Sequence, residues 1–177
     1  MSQGKSTDRK DSLRSELESS RVEFHTLLVS LSDNDLKKKS HNAAWTNKHI
    51  VVHIAMGFFI LPSLILLALV FGRLPKPISK LLALLLIVTT IPFNWINALG
   101  PYIGATIFTR SSLSKTLDWF HARIVQLLRL MTEEELKRGM YYPTQWDPFS
   151  FKEYMTLEDI FRIPILHFTF HLKQISR

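Results

Sequence analysis

The chain has 177 residues, a formal net charge of +7 and no cysteine. This length suits one domain with its own core. The absence of cysteine excludes disulfides and cysteine nucleophiles, and it leaves only imidazole and carboxylate as side-chain metal ligands. The basic residues occur in short groups without a nucleic-acid-binding motif or a glycine-rich phosphate loop, so the charge favours an anionic membrane surface over nucleic acid.

The N-terminal third of the chain contains two predicted helices. Residues 1–11 are polar and contain no apolar signal region, so we predict a disordered lead-in. Apolar residues then recur at helical spacing from about Leu13 to Leu31, which predicts the first helix. Ser32 begins a turn, and Thr46 is a good N-cap for the second helix.

The middle of the chain, residues 54–109, is strongly hydrophobic. The runs Ile54–Gly72 and Leu81–Thr109 carry no charged residue, and the segment between them contains two prolines. A helix that is apolar on every face is buried in protein or in lipid. The pattern therefore predicts a long hydrophobic helical insertion before the third amphipathic helix.

The C-terminal third of the chain is also predicted to be mainly helical. A single apolar stripe predicts a third helix that starts near Ser112 or Ser114, and Thr132 precedes a short helical turn. Residues 139–155 are predicted to form an aromatic loop. Thr156 is the predicted N-cap of a last helix that continues to the chain end and contains Pro164. We see no strand alternation, so the predicted class is all-α, with residues 1–177 forming one domain.

Two histidine pairs are candidate metal ligands. His167 and His171 are four residues apart and therefore share one helix face, and His49 and His53 have the same spacing on the second helix. One helix that offers two imidazoles, with a third from a neighbour, leaves coordination positions open. The segment between His167 and His171 lacks the glutamate of zinc proteases, which argues against a protease.

The alternative interpretation of these histidines is structural. A histidine on an apolar helix face is commonly a core residue that is satisfied by hydrogen bonds, and a pair spaced by four can arise by chance. On spacing alone, both interpretations stay open for His167 and His171. His25 and His121 have no such pairing, and we interpret them as surface or hydrogen-bonded residues.

Two segments resemble the DinB/YfiT-like family of metal-dependent four-helix bundles. These are Ala44–Ile54, with its tryptophan, threonine and downstream histidine, and His167–Ile175, with two histidines and a trailing glutamine. The resemblance covers the first, second, third and last predicted helices. It implies a four-helix bundle in which His53, His167 and His171 fill three metal-ligand positions. His49 then supports a ligand by hydrogen bonding rather than binding the metal itself.

The same resemblance implies a function. Characterised relatives include thiol-dependent transferases and isomerases that use bacillithiol or mycothiol. We therefore expect a divalent-metal-dependent transferase or hydrolase that takes a small hydrophobic substrate, with a low-molecular-weight thiol as cosubstrate. Nickel, zinc, iron and manganese are all compatible with histidine ligands. The alternative is a non-catalytic bundle, either membrane-associated or dimeric, that serves interaction or stress response.

The hydrophobic segment 54–109 departs from the family pattern and has three interpretations. It is a membrane hairpin, although Arg73, Lys76 and Lys80 would then lie on the far side, against the positive-inside rule. Alternatively it is a hydrophobic arm in one leaflet, or an extra core helix or homodimer interface in a soluble protein. We expect a protein on the cytoplasmic side, associated with the membrane, with a soluble cytoplasmic protein as the alternative.

The aromatic loop Tyr141–Pro148 has two interpretations as well. It covers the metal pocket and selects an apolar substrate, or it packs only for stability.

Overall fold

The computed structural model describes residues 3–42, 44–147 and 149–177. The elements within these residues are α1 (Gln3–Ser30), α2 (Asp33–Lys37), α3 (Asn47–Phe71), α4 (Lys76–Ile87), α5 (Thr90–Ile107), α6 (Arg110–Leu130), α7 (Glu133–Leu136), β1 (Gly139–Tyr141), β2 (Tyr154–Thr156) and α8 (Leu157–Leu172).

Four long helices form the bundle. Helices α1 and α3 each pack against both α6 and α8, so α1 and α3 stand at diagonally opposite corners. The apolar stripes predicted from helical periodicity meet in the core, where the largest fully buried side chains are Leu13, Leu17, Phe24, Ile50, Ile54, Phe58, Leu61, Ile65, Leu117, Ile124, Phe161 and Phe168. The all-α class and the four-helix bundle are therefore confirmed.

Helix α1 begins earlier than the sequence pattern indicates. Residues 3–11 are helical, so the predicted disorder is wrong for them, and residues 1–2 lie outside the described residues. The periodicity analysis missed this segment because polar contacts hold it: the Lys10 ammonium donates to the carbonyls of Arg129 and Met131 at 3.1 and 2.7 Å. A lysine at the C-terminal end of α6 satisfies carbonyls that the helix leaves free.

The predicted helix starts are confirmed at the threonines. The Thr156 hydroxyl accepts from the backbone N–H of Asp159 at 3.2 Å, and the Asp159 carboxylate accepts from the Thr156 N–H. Helix α6 starts at Arg110, slightly before the predicted serines, because Thr109 forms the same kind of capping box with Ser112. Pro164 lies inside α8, as predicted.

A small β-hairpin interrupts the predicted loop. Gly139–Tyr141 pairs antiparallel with Tyr154–Thr156, so the prediction that the chain contains no strand is wrong here. Strands of three residues are too short for alternation to be recognised. A side chain at Gly139 would collide with the backbone of Met155, so glycine permits the close approach.

The hydrophobic segment forms the second half of α3 together with α4 and α5. Helix α5 packs on α3, and the Tyr102 hydroxyl donates to the Ala44 carbonyl at 2.7 Å, beside the start of α3. Helix α4 packs on β1. By length and composition, α3 is apolar enough to span a membrane, and so is the pair α4 and α5, which is bent by 54°. However, 44% of the most apolar 18-residue stretch of α3 is buried in the bundle. Core helices of soluble proteins meet the same criterion.

Candidate metal centre

Three histidines converge between α3 and α8. His53 projects from α3, and His167 and His171 project from α8; each can place one ring nitrogen within 4.8 Å of the other two. The ring centroid of His53 lies 4.7 Å from that of His167 and 4.5 Å from that of His171. All three side chains are largely withdrawn from solvent. The structure thus brings together the three residues that the sequence singled out, and we call them the histidine triad.

A glycine on α3 makes room for one of these rings. A Cβ atom at Gly57 would lie 2.9 Å from Cδ2 of His167, closer than real Cβ contacts allow. Gly57 is one turn after His53, so both residues face α8. Sequence reasoning missed this residue because a glycine in an apolar helix looks like a simple loss of helix propensity.

Two of the triad rings have an acceptor at Nδ1. Nδ1 of His171 lies 3.0 Å from Oε1 of Gln174, and Nδ1 of His167 lies 3.6 Å from Oδ2 of Asp147. The Gln174 acceptor at Nδ1 of His171 places the proton there and leaves Nε2 of that ring with a free lone pair. Nε2 of His167 lies 3.4 Å from the His53 carbonyl oxygen, so that ring has an acceptor near each of its nitrogens. The Nδ1 atom of His53 is buried and has no hydrogen-bond partner among the described residues. A buried nitrogen without a partner is costly, and a bound metal ion is one way to satisfy it.

Two of the triad histidines, His53 and His171, are neutral at physiological pH. Burial lowers the pKa of His53 from 6.5 to about 2, and the neighbouring His167 and His171 lower it further. Burial together with His167 also lowers the pKa of His171 to about 4. A neutral imidazole is the form that binds metals, since the protonated ring has no free lone pair. The residues present therefore fit a divalent cation.

Asp147 supplies the negative charge nearest to the triad. Burial raises the pKa of this carboxyl, but hydrogen bonds from His167, Ser150 and the backbone N–H of Phe149 outweigh that effect and hold the pKa well below its usual range. Asp147 is therefore ionised beside His167. The sequence analysis placed this residue in the aromatic loop without assigning it a role, because the loop path that brings it to α8 is not encoded in helical periodicity.

An apolar pocket of about 730 Å³ adjoins the triad. All three histidines and Asp147 line it, and the remaining wall comes mainly from α3, α5 and the aromatic loop: Trp45, Met56, Phe59, Ile60, Phe93, Ile96, Trp146, Phe149, Phe151 and Phe170. Phe93 stacks on Trp146 at a centroid distance of 5.2 Å, which joins α5 to the loop. Pockets of this size that combine an apolar wall with a few polar groups are typical of small-molecule sites. The loop lines the pocket and also packs in the core, and its selection of a substrate stays a prediction.

The comparisons with known proteins agree with this geometry. The family model of the DinB superfamily matches residues 16–175. This chain belongs to the DinB superfamily. YfiT from Bacillus subtilis, described as a probable metal-dependent hydrolase with an unusual four-helix bundle topology, matches at a TM-score of 0.64 and 21% identity over 94% of this chain and 83% of that one. A search of curated proteins finds no match. The resemblance noted in the sequence is confirmed, and the structural likeness supports the same fold.

Three further histidines of this DinB-superfamily chain have surroundings of their own outside the triad. His49 does not contact the triad: its Nδ1 accepts from the Thr46 N–H at 3.1 Å and so caps α3. The predicted supporting role for His49 is therefore wrong, because a capping contact at the helix start turns the ring away from the site. His25 lies 2.7 Å from Asp118 through Nε2, as expected for a hydrogen-bonded residue. His121 is buried 3.5 Å from Glu18.

Proposed function

We propose that this chain is a divalent-metal-dependent enzyme that acts on a small apolar molecule. The observation that carries the proposal is the convergence of three imidazoles on one wall of an apolar pocket. His53, His167 and His171 would be the protein ligands, and three ligands leave coordination positions open to reactants. The description of YfiT as a probable metal-dependent hydrolase supports the proposal.

Each part of the site has a separate task. A bound divalent ion supplies Lewis acidity, which lowers the pKa of a coordinated thiol or water. Gln174 accepts from Nδ1 of His171, and the Asp147 carboxylate faces Nδ1 of His167, so both rings have a partner that orients them before a ligand arrives. The aromatic wall binds the apolar part of the substrate and excludes water from the reacting groups.

We propose attack by a thiol on this substrate as the reaction. The chain contains no cysteine, so the thiol is a low-molecular-weight cosubstrate rather than a side chain. Hydrolysis is the second candidate, because YfiT is described as a hydrolase of this kind. The two are distinguished by assaying metal-loaded protein on an apolar ester and on an apolar electrophile, with and without added thiol. Turnover that needs the thiol supports transfer, and turnover without it supports hydrolysis.

Metal content tests the proposal most directly. We expect elemental analysis of the purified wild type to find about one divalent ion per chain, and His53→Ala to lose it, because two imidazoles from one helix bind weakly without the third. The matched control is His25→Ala, which removes a histidine that contacts Asp118 far from the triad. Wild-type protein that stays metal-free after incubation with zinc, nickel, iron(II) and manganese would instead favour a non-catalytic bundle.

Gly57→Ala is expected to separate metal binding from stability. The new methyl group would contact the His167 ring and shift it, so metal affinity should fall by roughly tenfold. This is the lower end of the range of affinity losses seen when a residue that orients a metal ligand is changed. The same change favours the helix by up to about 1 kcal/mol, which limits any loss of stability. Gly100→Ala is the control, since its methyl meets only the flexible end of Met56. Titration with zinc and thermal denaturation measure the two effects, and unchanged affinity in Gly57→Ala would contradict the packing argument.

A further inference from the structure

Helices α4 and α5 expose a broad apolar surface. More than half of the exposed large apolar side chains of the described residues lie on these two helices. Leu85, Val88 and Ile91 retain 63%, 75% and 69% of their accessible surface. We call the exposed apolar side chains of α4 and α5 the apolar face. Contiguous apolar surfaces of this kind on a monomer mark sites that meet a partner or a membrane.

The stretch of sequence that contains this face is rich in positive charge. Residues 36–117 contain nine lysines and arginines and no acidic residue, whereas the rest of the chain carries 13 basic and 15 acidic residues. Arg73, Lys76 and Lys80 are exposed at the start of α4, and no salt bridge among the described residues involves them. Basic residues beside an apolar surface attract anionic lipid headgroups.

The packing of the bundle restricts which helices can contact a membrane. Helix α3 packs against α6 and α8, so moving it across a bilayer would take charged bundle helices into the hydrocarbon region. Helix α5 instead packs on α3 and helix α4 packs on β1, so neither is one of the four bundle helices. Trp95 and Tyr102 are exposed on α5, and tryptophan and tyrosine are enriched at the boundary between lipid and water.

We propose that the apolar face lies flat in the interfacial layer of a membrane that contains anionic lipids. The bundle with the histidine triad stays on the aqueous side, and Arg73, Lys76 and Lys80 contact the headgroups. Binding strength then has an apolar part from α4 and α5 and an electrostatic part from the basic residues, as in other in-plane helices. This inference does not depend on metal binding.

Sedimentation with lipid vesicles tests the proposal. The full-length protein is mixed with vesicles of phosphatidylcholine, or of phosphatidylcholine with 30% phosphatidylglycerol as a probe of charge. At low salt, we expect the wild type to bind the mixed vesicles at least about tenfold more strongly than the vesicles of phosphatidylcholine alone, as electrostatic attraction predicts. The double variant Leu85→Glu/Ile91→Glu should lose at least about tenfold in binding, because two charges would enter the interface.

The control carries the same charges elsewhere. Val29→Glu/Leu130→Glu changes residues that are 86% and 74% exposed on α1 and α6, and it should bind like the wild type. Circular dichroism checks that both variants are folded. Wild-type protein that stays in the supernatant with both vesicles overturns the proposal, as does equal binding by both double variants. Light scattering that shows a dimer, converted to a monomer by Leu85→Glu/Ile91→Glu, would identify a second copy as the occupant.

Discussion

The metal-free protein is expected to lose about 4 kcal/mol of its free energy of unfolding between pH 7 and pH 5. Burial holds the pKa values of His53 and His171 at about 2 and 4, below the ordinary 6.5. As the pH falls below 6.5, His53 and His171 become protonated in the unfolded chain but stay neutral in the folded chain. The stabilisation is therefore complete above pH 6.5 and is lost progressively as the pH falls towards the folded pKa values. For His171 the loss levels off below pH 4.

Chemical denaturation in the presence of a chelator measures this effect. His53→Asn removes one of these groups, so its loss between pH 7 and pH 5 should be smaller than that of the wild type by about 2 kcal/mol. Burial also lowers the pKa of His49 and His121, but these two histidines contribute equally to both proteins, so the difference isolates His53. The carboxylates with lowered pKa values, such as Asp147 and Asp159, titrate below this window and do not obscure it. An unfolding free energy that stays constant from pH 7 to pH 5 would show that the triad is not buried in its neutral form.

Replacing Asp147 by asparagine is expected to weaken metal binding by about 10- to 100-fold, the range found when the partner of a ligand histidine is removed. Asparagine has nearly the same shape and can still accept from the Phe149 N–H, which the carboxylate accepts at 2.9 Å. It lacks the negative charge that faces Nδ1 of His167 at 3.6 Å. The ring then loses both its orientation and the donation of negative charge that makes Nε2 a stronger ligand.

Asp118→Asn is the matched control for this prediction. Asp118 makes the same kind of contact, 2.7 Å from Nε2 of His25, but at a site away from the triad. Competition titration with a metal-binding dye should give this variant the affinity of the wild type. Equal affinities for Asp147→Asn and the wild type would mean that Asp147 shapes the pocket without positioning His167.

Helix α5 contributes residues both to the pocket of the proposed metal site and to the proposed membrane-binding face. Phe93 and Ile96 on this helix line the pocket beside the triad, and Ile96 also belongs to the apolar face together with Trp95 and Ile91. A membrane at that face would place hydrophobic molecules next to the helix that forms one wall of the pocket. An enzyme for apolar substrates gains from this arrangement, since such molecules are concentrated in lipid. The metal and vesicle experiments nevertheless succeed or fail independently, because they probe separate residues.

Local patterns in the sequence were enough to predict the bundle helices and most of their ends. Helical periodicity and capping are properties of consecutive residues, so Thr46, Thr156 and the apolar stripes are visible without a fold. The spacing of His167 and His171 belongs to this local class. His53 was added only through the resemblance to the DinB/YfiT-like family, because nothing in the sequence alone states which helix faces α8.

Only the tertiary structure decided what surrounds the triad. Asp147 reaches His167 through the path of an irregular loop, and Gly57 matters because a ring from a distant helix lies against it. Lys10 orders the start of α1 through carbonyls more than a hundred residues away. These are contacts between residues far apart in sequence, and no period along the chain encodes them. The sequence by itself determined which residue types can bind a metal and which helices form, while packing determined their partners, their charge state and the pocket they share.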